Sequence, residues 1–140
     1  MIEFRLDTSS GVPPYLQIVR QVEHAIRLGL LRTGDRLPTV KEVASSLAVN
    51  PNTVLKAYRE LDHRGLTSGK VGSGTFIEPS RSVVSPAQLK LLRRSLHNWI
   101  RGARAAGLTD ADIDAFVADA RKDTPERQIG EVRRDESGGR

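Results

Sequence analysis

The chain has 140 residues, 38% of them hydrophobic, with 22 Lys and Arg against 17 Asp and Glu for a formal charge of +5. This size supports one domain, or a small domain with an appendage, and argues against a large catalytic cavity, while the basic balance favours a polyanionic partner. Cysteine is absent, which excludes disulfides and thiolate metal sites; the start MIEFRLDTSS lacks an apolar signal region and no apolar run approaches the roughly 20 residues of a membrane span, so a soluble, cytoplasmic protein is expected.

Residues 1–12 read as a short N-terminal arm, closed by Val12-Pro13-Pro14, where each proline disfavours helix at the residue before it. From Tyr15 onward, Ile18, Val19, Val22, Ala25, Ile26 and Leu30 recur at three- and four-residue steps and predict a helix of about four turns. Gly34 and Pro38 break that pattern. Thr39 with Glu42 three positions on forms a capping-box signature for a short helix from Val40 to Leu47, whose inward set is Val40, Val43, Ala44 and Leu47. Only Ala48 and Val49 then separate it from a third helix in the stretch Asn50 to Gly65, giving a helix-turn-helix.

That third helix has locally written ends: Asn50 suits the N-cap, Pro51 the first helical position and Gly65 the residue after the C-terminus. Val54, Ala57, Tyr58 and Leu61 fall on one side, and Asn52, Lys56, Arg59 and His63 on the other. An ordinary surface helix presents the same kind of polar face. Its opening residues Asn50, Asn52 and Thr53 nevertheless carry the short hydrogen-bonding side chains that read base edges when a helix enters a major groove N-terminus first.

The following LTSGKVGSGTFIEP holds two short β-capable pieces, Leu66 to Ser68 and Gly74 to Ile77, around a glycine-rich centre. It predicts either a plain hairpin sealing the core or the wing of a winged helix, with Gly69, Gly72 and Gly74 permitting positive φ and Lys70 and Ser73 meeting phosphate. A nucleotide-cradling loop fails here, because Val71 stands where a magnesium-binding hydroxyl belongs and the segment follows a helix.

The winged unit thus spans residues 13–79, and PSRSVVS makes residues 80–85 a linker by composition. Ser85, Pro86 and Gln88 open a further helix reaching toward Gly107, with Leu89, Leu92, Leu96, Trp99, Ile100 and Ala103 as its apolar stripe. After the turn at Gly107-Leu108, Thr109 and Asp112 start an antiparallel partner with Ile113, Phe116, Val117 and Ala120 inward, completing a region of residues 86–122. Two helices cannot hide both stripes, so they either fold back on the winged unit or join a second copy of the chain; Leu89, Leu92, Leu96, Trp99, Ile100, Phe116 and Val117 are the dimerisation candidates. Residues 123–140 are polar and charge-mixed, as in a disordered tail.

The signals Tyr15-Leu16-Gln17-Ile18, Gly34-Asp35-Arg36-Leu37-Pro38-Thr39, Asn50-Pro51-Asn52-Thr53-Val54 with Ala57-Tyr58, and Gly72-Ser73-Gly74-Thr75-Phe76 occur in this order. Over residues 12–78 the chain closely resembles the GntR family of bacterial transcription regulators. It is similar to the YtrA-type branch, which carries a short two-helix dimerisation piece. The resemblance implies a mainly α fold, an α+β winged helix-turn-helix with a C-terminal two-helix antiparallel hairpin. It also implies a homodimeric repressor on an inverted-repeat double-stranded DNA operator. Expected base contacts are Asn50, Asn52, Thr53 and Leu55, the last against a thymine methyl; expected backbone contacts are Arg36, Lys41, Lys56 and Lys70 with Gly72, Ser73 and Gly74. Arg36 serves equally well as a structural ion-pair residue. Lys41 stands where arginine is common, and Pro51 and Leu55 where basic residues are frequent, so the operator preferences of relatives do not transfer.

The rival nucleic-acid function is a non-sequence-specific DNA-coating or architectural protein using the same fold. An enzyme is disfavoured: His24, His63 and His97 are scattered, no metal or cofactor motif surrounds them, and Asp110, Asp112 and Asp114 suit a helix start. A small apolar effector has two candidate places, a dimer interface or a cleft between Trp99 and the winged unit.

Overall fold

In chain order the elements are α1 (Pro14–Arg27), α2 (Val40–Leu47), α3 (Pro51–His63), β1 (Thr67–Lys70), β2 (Gly74–Ile77), α4 (Pro86–Ala105) and α5 (Asp110–Asp123). The computed structural model describes residues 2–79 and 84–124; most of the expected linker (80–83) and tail (125–140) lies outside these described residues. The chain divides into two compact units, Met1–Leu92 and Arg93–Arg140, so the division falls inside α4.

Side chains fix the helix starts as their spacing predicts. The Thr39 hydroxyl accepts from the Glu42 N–H at 3.1 Å, and the Glu42 carboxylate accepts from the Thr39 N–H at 3.2 Å, which satisfies two N–H groups the helix itself cannot use. Thr109 and Asp112 repeat this box at α5. The end of α1 differs from expectation. At Gly29 the backbone turns left-handed (φ +69°), and the Leu30 N–H reaches back to the Ala25 carbonyl at 2.8 Å, closing the helix a turn early. Leu30 is consequently exposed and Leu31 is buried in its place.

The core of the first unit forms where α1 and α3 cross, with α2 against α3. Ile18, Val19, Val22, Leu37, Val54 and Leu61 are sealed from solvent, each contributing on the order of 1.5–3 kcal/mol. Val40 and Leu47, expected inward on α2, are half-buried against this cluster.

Two associations have no sequence signal. The N-terminal arm is part of the core, with Phe4 buried and Ile2 and Leu6 packed beside it. Gln21 of α1 accepts from the Arg5 N–H (2.9 Å) and donates to the Arg5 carbonyl (2.6 Å). One turn earlier, Gln17 makes the same exchange with Asp7 (2.8 and 2.9 Å), so two side-chain amides act as a neighbouring strand would.

The second association concerns the hairpin. β1 and β2 pair antiparallel from Thr67↔Ile77 to Lys70↔Gly74, so β1 begins and ends later than expected and Gly69 lies within it, opposite Thr75. Gly69 therefore needs no positive φ, unlike Gly72 and Gly74. The breaker segment before α2 lines the free edge of β2: the Leu37 N–H donates to the Thr75 carbonyl and the Ile77 N–H to the Asp35 carbonyl, each at 2.9 Å. A two-stranded hairpin is marginal in water, and this third line of backbone braces it.

In the second unit, Ala103 and Ile113 are buried and the Trp99 and Phe116 rings stack with centroids 5.8 Å apart. Arg104 pairs with Asp110 at 3.1 Å across the turn. Of the residues expected inward on α5 only Ile113 is buried; Val117 is half-buried and Phe116 and Ala120 are exposed, because one facing helix covers only a narrow strip. No helix of the described residues is long and apolar enough to cross a membrane.

Candidate nucleic-acid interface

α3 is anchored at three places between its middle and its C-terminal end. Tyr58 is buried and its hydroxyl donates to the Pro38 carbonyl at 2.5 Å, tying mid-helix to the start of α2. Burial, assisted by the Glu42 charge, pushes the Tyr58 phenol well above the usual tyrosine range, so it stays a donor. At the far end Arg64 bridges Glu23 of α1 (2.5 Å) and Glu60 (2.9 Å). Hydrogen bonds to Glu60 and then Glu23 raise its already high pKa. The buried Thr67 hydroxyl donates to the Asp62 carboxylate, which couples the helix end to β1.

The exposed face of α3 carries Asn52, Lys56, Arg59 and His63, while Thr53 and Leu55 are half-buried. Asn50 is the N-cap, and its Oδ1 accepts from the Asn52 N–H at 2.9 Å. Its acceptor is thus engaged by the helix, and the NH₂ end is what remains for a ligand. The turn joining α2 and α3 is tight: Ala48 is left-handed at φ +53°, and the Val49 N–H bonds back to the Ala44 carbonyl at 3.1 Å.

At the wing, a groove of about 530 Å³ is lined by Arg36, Thr39, Lys70, Gly72, Ser73 and Gly74 among others. It brings together five of the seven residues expected at phosphates, and its lining has two cations and no carboxylate. Gly74 is part of its construction. At φ +119° it adopts a backbone few side chains tolerate, and a Cβ there would come within 2.7 Å of Arg36 Nε. Arg36 therefore lies across the wing base because residue 74 has no side chain. Among the described residues Arg36 has no carboxylate partner, so the structure gives no ion-pair role for it. Lys70 is backed by Phe76, with Nζ 5.5 Å from the ring centroid. Lys41 is exposed at the second position of α2, outside this groove. Lys56 is also outside it, and its Nζ lies 4.1 Å above the Tyr15 ring, a contact that local spacing cannot reveal.

On α4, Leu92, Leu96 and Trp99 are exposed and Leu89 and Ile100 half-buried; Leu91, absent from the expected stripe, is exposed as well. A groove of about 420 Å³ in the second unit is lined by Leu96, Trp99, Phe116, Val117, Ala120, Arg121 and Thr124. No group of three or more His, Asp or Glu among the described residues could hold a metal ion.

A winged helix-turn-helix that presents a polar helix face and a basic wing groove is a DNA-binding transcriptional regulator. The model of bacterial regulatory proteins of the gntR family matches residues 14–77. The chain is 31% identical to the HTH-type transcriptional repressor YtrA of Bacillus subtilis over 120 residues, covering 85% of this chain and 92% of that one. Among solved structures it is similar to YtrA from Sulfolobus acidocaldarius, described as a GntR-family transcription factor, at 31% identity and TM-score 0.52 over 73% of this chain and 97% of the other. It is also similar to a protein of Listeria monocytogenes EGD-e described as a transcriptional antiterminator, at 30% identity and TM-score 0.55 over 93% and 98%. The chain belongs to the GntR family, whose members are regulators of transcription and not enzymes.

Proposed function

We propose that the protein is a homodimeric cytoplasmic repressor that binds an inverted-repeat operator and blocks transcription. What carries this reading is that one winged unit has both an exposed polar face on α3 and a cationic wing groove, surfaces suited to base edges and to phosphates. Asn52, Thr53 and Leu55, with the Asn50 amide, read bases; Arg36, Lys41, Lys56 and Lys70, with the Gly72–Gly74 backbone and the Ser73 hydroxyl, hold phosphates. Repression is the activity named for the Bacillus subtilis relative.

The exposed leucines of α4, with Trp99 and Phe116, support self-association. Leu92, Leu96 and Trp99 share one face at helical spacing, and a twofold pairing would cover them in both copies. Half-site centres would then be about 34 Å apart or a multiple of that. A small apolar effector would enter the Trp99–Phe116 groove and release the operator by disturbing the pairing.

The test starts from a random duplex library, from which the purified protein selects ligands, followed by competition with scrambled DNA. Enrichment of a palindrome, bound about 10³-fold or more above scrambled sequence and lost in Asn52→Ala, is the expected result. Equal displacement by any duplex would transfer the assignment to an architectural DNA-coating role. Sedimentation of Leu96→Glu beside the parent chain tests the dimer: a parent chain that is already monomeric at micromolar concentration would defeat the proposed pairing.

A further inference from the structure

Lys56 stands one turn after Asn52 on the exposed face of α3, and a lysine there has a long, freely rotating stem. Its ammonium is nevertheless placed. Nζ lies 4.1 Å from the centroid of the Tyr15 ring, which α1 contributes from its first turn where the two helices pack together. The negative face of the ring attracts the cation without neutralising it, and the N–H groups on the far side of the ammonium remain available. A carboxylate in the same place would have cancelled the charge. Among the described residues no carboxylate forms an ion pair with Lys56.

We propose that Tyr15 is a positioning residue for DNA binding: its ring holds the Lys56 ammonium where a phosphate of the bound duplex meets it, and α1 thereby takes part in recognition. The proposal rests on the DNA-binding reading of α3. Tyr15 acts through Lys56, so its effect on affinity exists only while Lys56 is present. Because the attraction belongs to the ring face, the phenolic oxygen is dispensable.

The experiment measures duplex affinity across a salt series, using a ligand selected from a random library by the parent protein. The variants are Tyr15→Phe, Tyr15→Leu, Lys56→Gln and the Tyr15→Leu/Lys56→Gln pair, with thermal unfolding followed in parallel. Tyr15→Phe should bind within twofold of the parent, and Tyr15→Leu about two- to fivefold more weakly per half-site. Lys56→Gln should lower the slope of log K against log salt by about 0.9 per half-site, and adding Tyr15→Leu to it should change nothing further. Pentafluorophenylalanine at position 15 keeps the ring's size but reverses the potential of its face; it should match Tyr15→Leu even if the leucine variant is too unstable to assay. An equal loss from Tyr15→Leu with and without Lys56, or full affinity with the fluorinated ring, would overturn the proposal while leaving DNA binding intact. Failure of the parent protein to enrich any duplex would instead defeat the DNA-binding reading, and this proposal with it.

Discussion

Replacing Gly74 with alanine tests the construction of the wing groove directly. A Cβ at this position would lie 2.7 Å from Arg36 Nε, far closer than ordinary contact, and 3.4 Å from its Cζ. The atoms met belong to a flexible side chain, so Arg36 swings away at small cost to the fold. The backbone is less forgiving. At φ +119° an alanine is strained by roughly 1–3 kcal/mol, a sizeable fraction of the stability of a small domain. Two consequences separate in the assay: urea unfolding should show the strain, and duplex binding across a salt series should show the loss of Arg36 as a phosphate contact, a slope lower by about 0.9 for each half-site. Arg36→Gln should reproduce the slope change without the loss of stability, and combining it with Gly74→Ala should lower the slope no further. A Gly74→Ala protein that retained the parent's salt slope while showing the expected strain would refute the assignment of Arg36 to a phosphate.

Asn50 combines a cap with a base contact, and two substitutions part them: Asn50→Ala removes the Oδ1 that caps α3 and should cost about 1 kcal/mol, whereas Asn50→Asp keeps the cap and the stability but weakens duplex binding by removing the NH₂ donors. Stability lost equally in both variants would argue against the cap as the source. Ala48→Gly should raise the urea midpoint, because a left-handed alanine at φ +53° costs roughly 1–2 kcal/mol and the extra backbone entropy of glycine offsets only part of that; an unchanged or lower midpoint would contradict this. Hydrogen bonds from the Thr109 backbone and then its hydroxyl hold the Asp112 carboxyl below its ordinary value of 3.8. A depressed folded-state pKa stabilises above the unfolded value and is lost as pH falls through the folded one. The melting temperatures of the parent chain and Asp112→Asn should therefore differ at neutral pH and converge below about pH 3.8; a constant gap down to pH 2 would show that the carboxylate's charge is not what stabilises α5.

Features that depend on near neighbours are legible in the order of the residues. Helix starts belong to this class, since Thr39 with Glu42, Thr109 with Asp112 and Asn50 with Pro51 satisfy N–H groups within one turn of themselves. So do the buried face of α3 and the family resemblance, which rests on the order of short motifs. Contacts that join residues far apart in the chain come from packing. Gln17 and Gln21 are ordinary polar positions of an amphipathic helix until the arm lies across them, and Phe4 has no periodic context to mark it as core. The edge that residues 34–37 add to β2, the placement of Arg36 over Gly74 and the seat of Lys56 on Tyr15 have the same origin. Periodicity reports which face of an element is apolar, but the partner of a polar side chain is set by how the helices cross, and only packing of the whole core fixes that.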